Sequence, residues 1–180
     1  LCTTLSKPQA MQLTMPSNDK NVQDEDKSAT KASHTITLIL AGNNKIYHID
    51  GLPNYEDPTC LKETTWGKDG IRKVLMSHVT EEGIAPVAKI MVAKQKLDEK
   101  KIKYNMVDSI YQKELSELKN GNINGEKIPT LTIIIKPLDT ASYKNMVDAL
   151  DEMQICSIGK YVIDKINDND QKLLQLKGIK

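Results

Sequence analysis

The sequence predicts an α+β fold. It is a two-layer sandwich in which a mixed sheet of four to five strands carries two main helices on one face, plus a long helical insertion. Three observations lead there. Residues 131–166, LTIIIKPLDTASYKNMVDALDEMQICSIGKYVIDKI, read as strand, capped helix, strand. Strands joined in that order lie parallel, with a right-handed crossover. Upstream, β-formers at 36–40 and 46–49 flank Gly42, Asn43 and Asn44, which tolerate positive φ, and this pattern predicts a β-hairpin. From Val87 to about Leu118 the apolar residues recur at helical spacing among many Lys and Glu.

Composition narrows the function classes. A chain of 180 residues holds one domain with a sizeable core, or a smaller domain with tails. Its 39% hydrophobic and 27% charged content is ordinary for a soluble globular protein. With no Phe and one Trp, the core must be aliphatic. A net charge of +1 gives no reason to expect a nucleic-acid partner. No apolar run approaches the roughly 18 residues of a membrane span. The start at LCTTLSKPQ, without an initiator Met or signal peptide, reads as a fragment of something longer. An acylated Cys2 is disfavoured, because a processed lipoprotein begins at its Cys and no lipobox precedes this one.

The elements follow in order. Residues 1–16 contain a weakly alternating segment around Met11, Leu13 and Met15, ended by Pro16. Residues 17–34 are polar and charged, and read as a flexible linker. The domain is expected over 35–166. After the hairpin, residues 51–66 contain two prolines and read as an irregular loop. Asp69 stands where an N-cap would lie before Ile71, Val74, Leu75 and His78, which fall at helical spacing. Gly83 and Pro86 interrupt that helix. A helical insertion over 84–126 follows, with one or two breaks, marked by Ile90, Met91, Met106, Ile110 and Leu118 and stopped by NGNING at 120–125. TLTIIIK at 130–136 suits a central buried strand ended by Pro137. Asp139 or Thr140 is placed to cap the next helix, where Tyr143, Met146, Val147, Leu150 and Met153 form one stripe. On that reading Val147→Asp should unfold the domain. KYVIDKI at 160–166 is the last strand, and the polar tail 167–180 is expected to fray.

Reactive chemistry is sparse. His34, His48 and His78 share no ligand-type spacing and read as surface or edge histidines. Asp148, Asp151 and Glu152 read as a solvated helix face, and Lys-rich 94–103 as an exposed helix laced with i,i+4 pairs. Phosphate-binding Gly loop, nucleophile elbow and paired zinc motif are all missing, so neither catalytic nor metal residues nor a cofactor is expected. A Cys60–Cys156 disulfide is open in an oxidising compartment, but Cys156 is better read as a small buried apolar residue at a helix end.

Set between LTIIIKP and KYVIDKI, SYKNMVDALDEM (142–153) resembles the C-terminal periplasmic domain of the ExbD/TolR biopolymer transport family. Tyr143, Met146, Val147, Leu150 and Asp151 fall on the family's helix steps, and MQLTMPSN (11–18) is similar to the strand that follows its single membrane helix. With DGIRKVL and the long insertion, the chain is similar to Bacteroidetes-type versions. It departs from the family in having Pro137-Leu138 and Cys156-Ser157 where Ala-Asp and Gly are usual. The resemblance implies a non-enzymatic periplasmic domain of a single-pass inner-membrane protein, the fragment itself being soluble. It implies a subunit of a proton-motive-force-driven motor that docks other proteins to energise TonB-dependent outer-membrane transport, or alternatively a TolR-like peptidoglycan-binding module. Implied partners are an ExbB-like motor subunit, reached through the missing membrane helix, a TonB-like protein, peptidoglycan in the TolR branch, and a second copy in a homodimer. Met11, Leu13, Met15 and Pro16 are the expected partner-binding segment. Tyr161, Val162 and Ile163 are the expected strand edge for a dimer.

Overall fold

A computed structural model describes residues 31–179. The expectations for 1–16 and for most of the 17–34 linker therefore lie outside the described residues.

Strands β1 (Thr35–Leu40) and β2 (Ile46–Asp50) form the expected hairpin, with Leu40 opposite Ile46 and Leu38 opposite His48. Asn43 and Asn44 take left-handed φ of 58° and 60°, closing a tight turn in which Lys45 N–H donates to Gly42 O at 3.2 Å. At Gly42 the chain passes close to Thr140, and an added Cβ would lie 3.2 Å from Thr140 Cβ, a tight contact. The 51–66 segment is more ordered than expected. It holds a 3-10 turn at Pro58–Cys60 and a short strand, β3 (Lys62–Thr64), paired antiparallel to β2.

Helix α1 (Ile71–Ser77) begins after Gly70 with no side-chain cap, so Asp69 does not serve as one. The reason is steric. The chain is drawn against Thr65, whose carbonyl accepts from Ile71 N–H at 2.7 Å, and a Cβ on Gly70 would lie 2.0 Å from that oxygen. The insertion is a helical hairpin, α2 (Pro86–Lys103) and α3 (Asp108–Lys119), with one break that includes Asn105 at φ 50°. NGNING stops it and also turns it into a small ladder, β4 (Asn122–Ile123) with β5 (Glu126–Lys127), through Asn124 and Gly125 at positive φ.

Strand β6 (Thr132–Pro137) lies between β1 and β7 (Lys160–Ile163), parallel to both, and α4 (Tyr143–Ile155) makes the crossover. The sheet order is β3-β2-β1-β6-β7. Ser142 caps α4, accepting from Asn145 N–H at 3.1 Å, in place of Asp139 or Thr140. Thr140 is occupied elsewhere, its Oγ1 accepting from Gly42 N–H at 3.2 Å.

Both faces of the sheet are covered. On one, Ile36, Leu38, Leu40, Ile133 and Ile135 pack with Ile71 and Leu75 of α1 and Met146, Ala149 and Met153 of α4, so both main helices share a face as expected. On the other, Ile39, Tyr47 and Ile49 pack with Leu61, Leu173 and Leu174. The last two belong to α5 (Asp168–Lys177), a helix where a fraying tail was expected. It stands on an Asn167/Asp170 capping box and ends at Gly178, φ 78°. Asp170 also accepts from Lys136 Nζ at 2.6 Å, a buried ion pair fastening α5 to β6. Cys60 and Cys156 are free thiols. They belong to opposite faces of the sheet, and burial pushes the Cys156 thiol up to about 12.

Candidate docking surface

The sheet has two edges, and they differ. β3 is three residues long and charged, with Glu63 held by Lys45 at 2.8 Å and Lys62 beside Asp50 at 3.7 Å. Short charged edges discourage strand addition. β7 presents Tyr161, Val162 and Ile163 instead. Asp164 N–H donates to Ile135 O at 2.8 Å, which turns the even-numbered residues toward β6. Successive residues aim their N–H and C=O groups to alternate sides, so those of Tyr161 and Ile163 point out of the sheet. They have no backbone partner among the described residues. Tyr161 and Ile163 place their side chains on the α4 face, where Ile163 joins the core and Tyr161 packs against it, while Val162 is buried on the other side. Among the described residues the edge is therefore packed behind and open in front. Just before it the chain passes close to the insertion, since a Cβ on Gly159 would lie 3.2 Å from Lys119 Cβ at the end of α3.

Behind the edge, α4 presents its buried face at Asn145, Met146, Ala149, Glu152 and Met153. Met146 and Met153 are core, as the stripe predicts. Tyr143, Val147 and Leu150 are half-buried at its margin, so the inward face is rotated from the predicted one. Asp151 is exposed. Glu152 is the chief departure from the solvated acidic face. It is 5% exposed and accepts two hydrogen bonds from Arg72 of α1, at 2.9 and 3.1 Å. That carboxylate holds the Arg72 guanidinium above its ordinary value. Asp148 pairs with Lys144 at 2.8 Å on the exposed side.

All three histidines are tied down where the chain enters the sheet. His34 Nε2 lies 2.8 Å from Glu82 Oε1, His78 Nε2 lies 2.7 Å from Ser33 O, and His48 Nδ1 lies 2.8 Å from Asp50 Oδ1. His48 is buried, not superficial. Lys31 adds contacts to Glu81 at 2.7 Å and Glu82 at 3.0 Å. Hydrogen bonds from His34 and then Lys31 hold the Glu82 carboxyl down to about 2. The hydrogen bond from His48 likewise lowers Asp50. Sequence spacing could not reveal this staple, because Lys31 and His34 stand about fifty positions from their acidic partners.

A groove of about 890 Å³ runs along the insertion, floored by Val92, Ala93, Leu97, Leu118 and Ile123. Of its ionisable groups, Glu117 accepts from Asn122 at 2.7 Å, and Glu114 has Lys100 at 3.7 Å while its buried Oε2 has no hydrogen-bond partner among the described residues. Among the described residues no group of three or more His, Cys, Asp or Glu is arranged to hold a metal ion.

The family model described as Biopolymer transport protein ExbD/TolR matches residues 1–165. The chain belongs to the ExbD/TolR family. No curated protein and no solved structure matches it. ExbD/TolR proteins form a transport family, not an enzyme family, anchored in the inner membrane with a periplasmic domain, and they work with ExbB/TolQ-like partners in a membrane complex. Among the described residues no helix is long and apolar enough to cross a membrane. The expected contact segment of Met11, Leu13, Met15 and Pro16 lies outside the described residues.

Proposed function

We propose that this chain is the periplasmic part of a proton-motive-force-driven motor subunit that couples energy to TonB-dependent outer-membrane transport by docking other proteins. The observation that carries the reading is the outward-facing row of N–H and C=O groups at Tyr161 and Ile163, backed by a fully packed sheet. An extended segment of a TonB-like protein adds there as a further strand. The ladder supplies affinity, and side-chain pockets on alternate positions supply selectivity. A second copy competes for the same edge at Tyr161, Val162 and Ile163 in a homodimer, and Met11, Leu13, Met15 and Pro16 form a separate partner-binding segment. Family membership supports the motor half of the reading.

The test is a titration of the isotope-labelled chain with peptides from the periplasmic part of TonB. Amide shifts are expected to concentrate at Tyr161, Val162 and Ile163. An unperturbed spectrum at saturating peptide, with co-sedimentation on peptidoglycan, would replace this reading with the cell-wall-binding one.

A further inference from the structure

Nine large apolar side chains are exposed among the described residues, and four of them fall within nine consecutive positions. Ile102 is 84% exposed, Tyr104 66%, Val107 62% and Ile110 52%, all at the turn joining α2 to α3. They are not needed to fold the insertion. The seam of the helical hairpin is filled by Leu97 and Tyr111, both buried, with the Tyr111 hydroxyl donating to Asp98. None of these four exposed residues belongs to either core cluster. Val87 and Ile90 seat the first turn of α2 in the domain, and sixteen residues later, at Lys103, the helix axis has advanced about 24 Å.

Charge surrounds this apolar tip. Lys100, Lys101 and Lys103 face Asp108 and the exposed Glu99, while Asp98 is already engaged by Lys94 and Tyr111, so the tip keeps a single excess positive charge. Lys103 Nζ sits 5.3 Å from the Tyr104 ring centroid and has no carboxylate partner among the described residues. Lys101 lies over the Tyr111 ring, 4.3 Å from its centroid, and contacts Asp108 at 3.1 Å, in a pair whose carboxylate side chain is 72% exposed and is therefore readily exchanged for another anion. Lys100 reaches Glu114 only at 3.7 Å.

Protein-binding patches are depleted in lysine at their cores. Aliphatic side chains at a protruding tip, a tyrosine beside them and long ammonium stems that extend past them match the headgroup layer of a bilayer. The excess of positive charge selects an anionic one. A bilayer is also the surface to which this family is anchored.

We propose that the α2–α3 turn is a membrane-contact element. Ile102, Tyr104, Val107 and Ile110 enter the headgroup region of an anionic phospholipid bilayer, and Lys100, Lys101 and Lys103 pair with its phosphates. The contact gives the domain a second hold on the bilayer, distant from the β7 edge and independent of what that edge binds. It therefore stands or falls separately from the docking reading.

The experiment is co-sedimentation of the full chain with phosphatidylglycerol-containing vesicles and with pure phosphatidylcholine vesicles. Preference for the anionic vesicles is expected, weakening as salt is raised. The K100Q/K101Q/K103Q triple variant is expected to lower the partition coefficient by about tenfold or more, and I102S/V107S/I110S to remove sedimentation. Thermal melts check that both variants keep the fold. In Tyr104→Trp, acyl-chain-brominated lipid is expected to quench the new fluorescence beyond the Trp66 signal of the unaltered chain. Three results would each overturn the proposal: no sedimentation with anionic vesicles, which returns the patch to a protein partner; equal sedimentation with both lipids; or sedimentation unchanged in both triple variants.

Discussion

Ile36, Leu38, Ile133 and Ile135 in the central strands are completely buried, with helices packed over both faces of the sheet. Along the α2–α3 hairpin, by contrast, only Leu97 and Tyr111 are buried beyond the turns that touch the core, and Val92, Ile102, Val107 and Ile110 face solvent. Both regions draw on the same aliphatic residue types. They differ in how many layers meet on each side chain. A residue between a strand and a helix loses its water on all sides, whereas a residue on a two-helix projection does so only along one seam. Beyond Val87 and Ile90, the hairpin is thus expected to add less to global stability than the sheet does.

The widest gap between the regions is expected from a charge on α4. Met146, 3% exposed and in contact with the sheet, should not tolerate Met146→Asp, and the cooperative thermal transition is expected to disappear. Val147→Asp, at a half-buried position, is expected to melt cooperatively at a lower temperature. The same outcome for both would show that the inward face of α4 has been drawn at the wrong angle. Asp170→Ala comes next. It leaves the buried Lys136 ammonium uncompensated and removes half of the α5 capping box, for a loss of about 3 kcal/mol by denaturant titration. A loss well below about 1 kcal/mol would mean that α5 contributes little to the second face. The smallest global effect belongs to Leu97→Ala. Amide exchange is expected to quicken across α2 and α3 while the β6 amides keep their protection. Equal acceleration in β6 would show that hairpin and sheet unfold as one.

Much of the architecture was legible in local pattern. The two asparagines announce the β1–β2 turn, the β-branched run announces β6, and the crossover unit follows from order alone. What was not legible depends on partners far away in sequence. Glu152 sits inward because Arg72, eighty positions earlier, neutralises it. Lys136 is buried because Asp170 waits on a helix whose own apolar signal is chiefly the adjacent Leu173 and Leu174. The Asn167-to-Asp170 spacing was a usable capping signal for α5, and Asn124-Gly125 a usable hairpin signal for β4 and β5. The β7 residues could be named from sequence, but their position at an edge is a property of strand order.

From Lys31 a short 3-10 turn, Ala32–His34, leads into β1, the middle strand of five, flanked by β2 on one side and β6 on the other. Traction applied there along the strand would load two ladders in shear at once, with many bonds strained together instead of being unzipped singly. The Lys31 and His34 contacts with Glu81 and Glu82 would yield first, acting as a soft catch ahead of a stiff mount. Tension entering by this route would reach the central strand only after those outer ion pairs had let go.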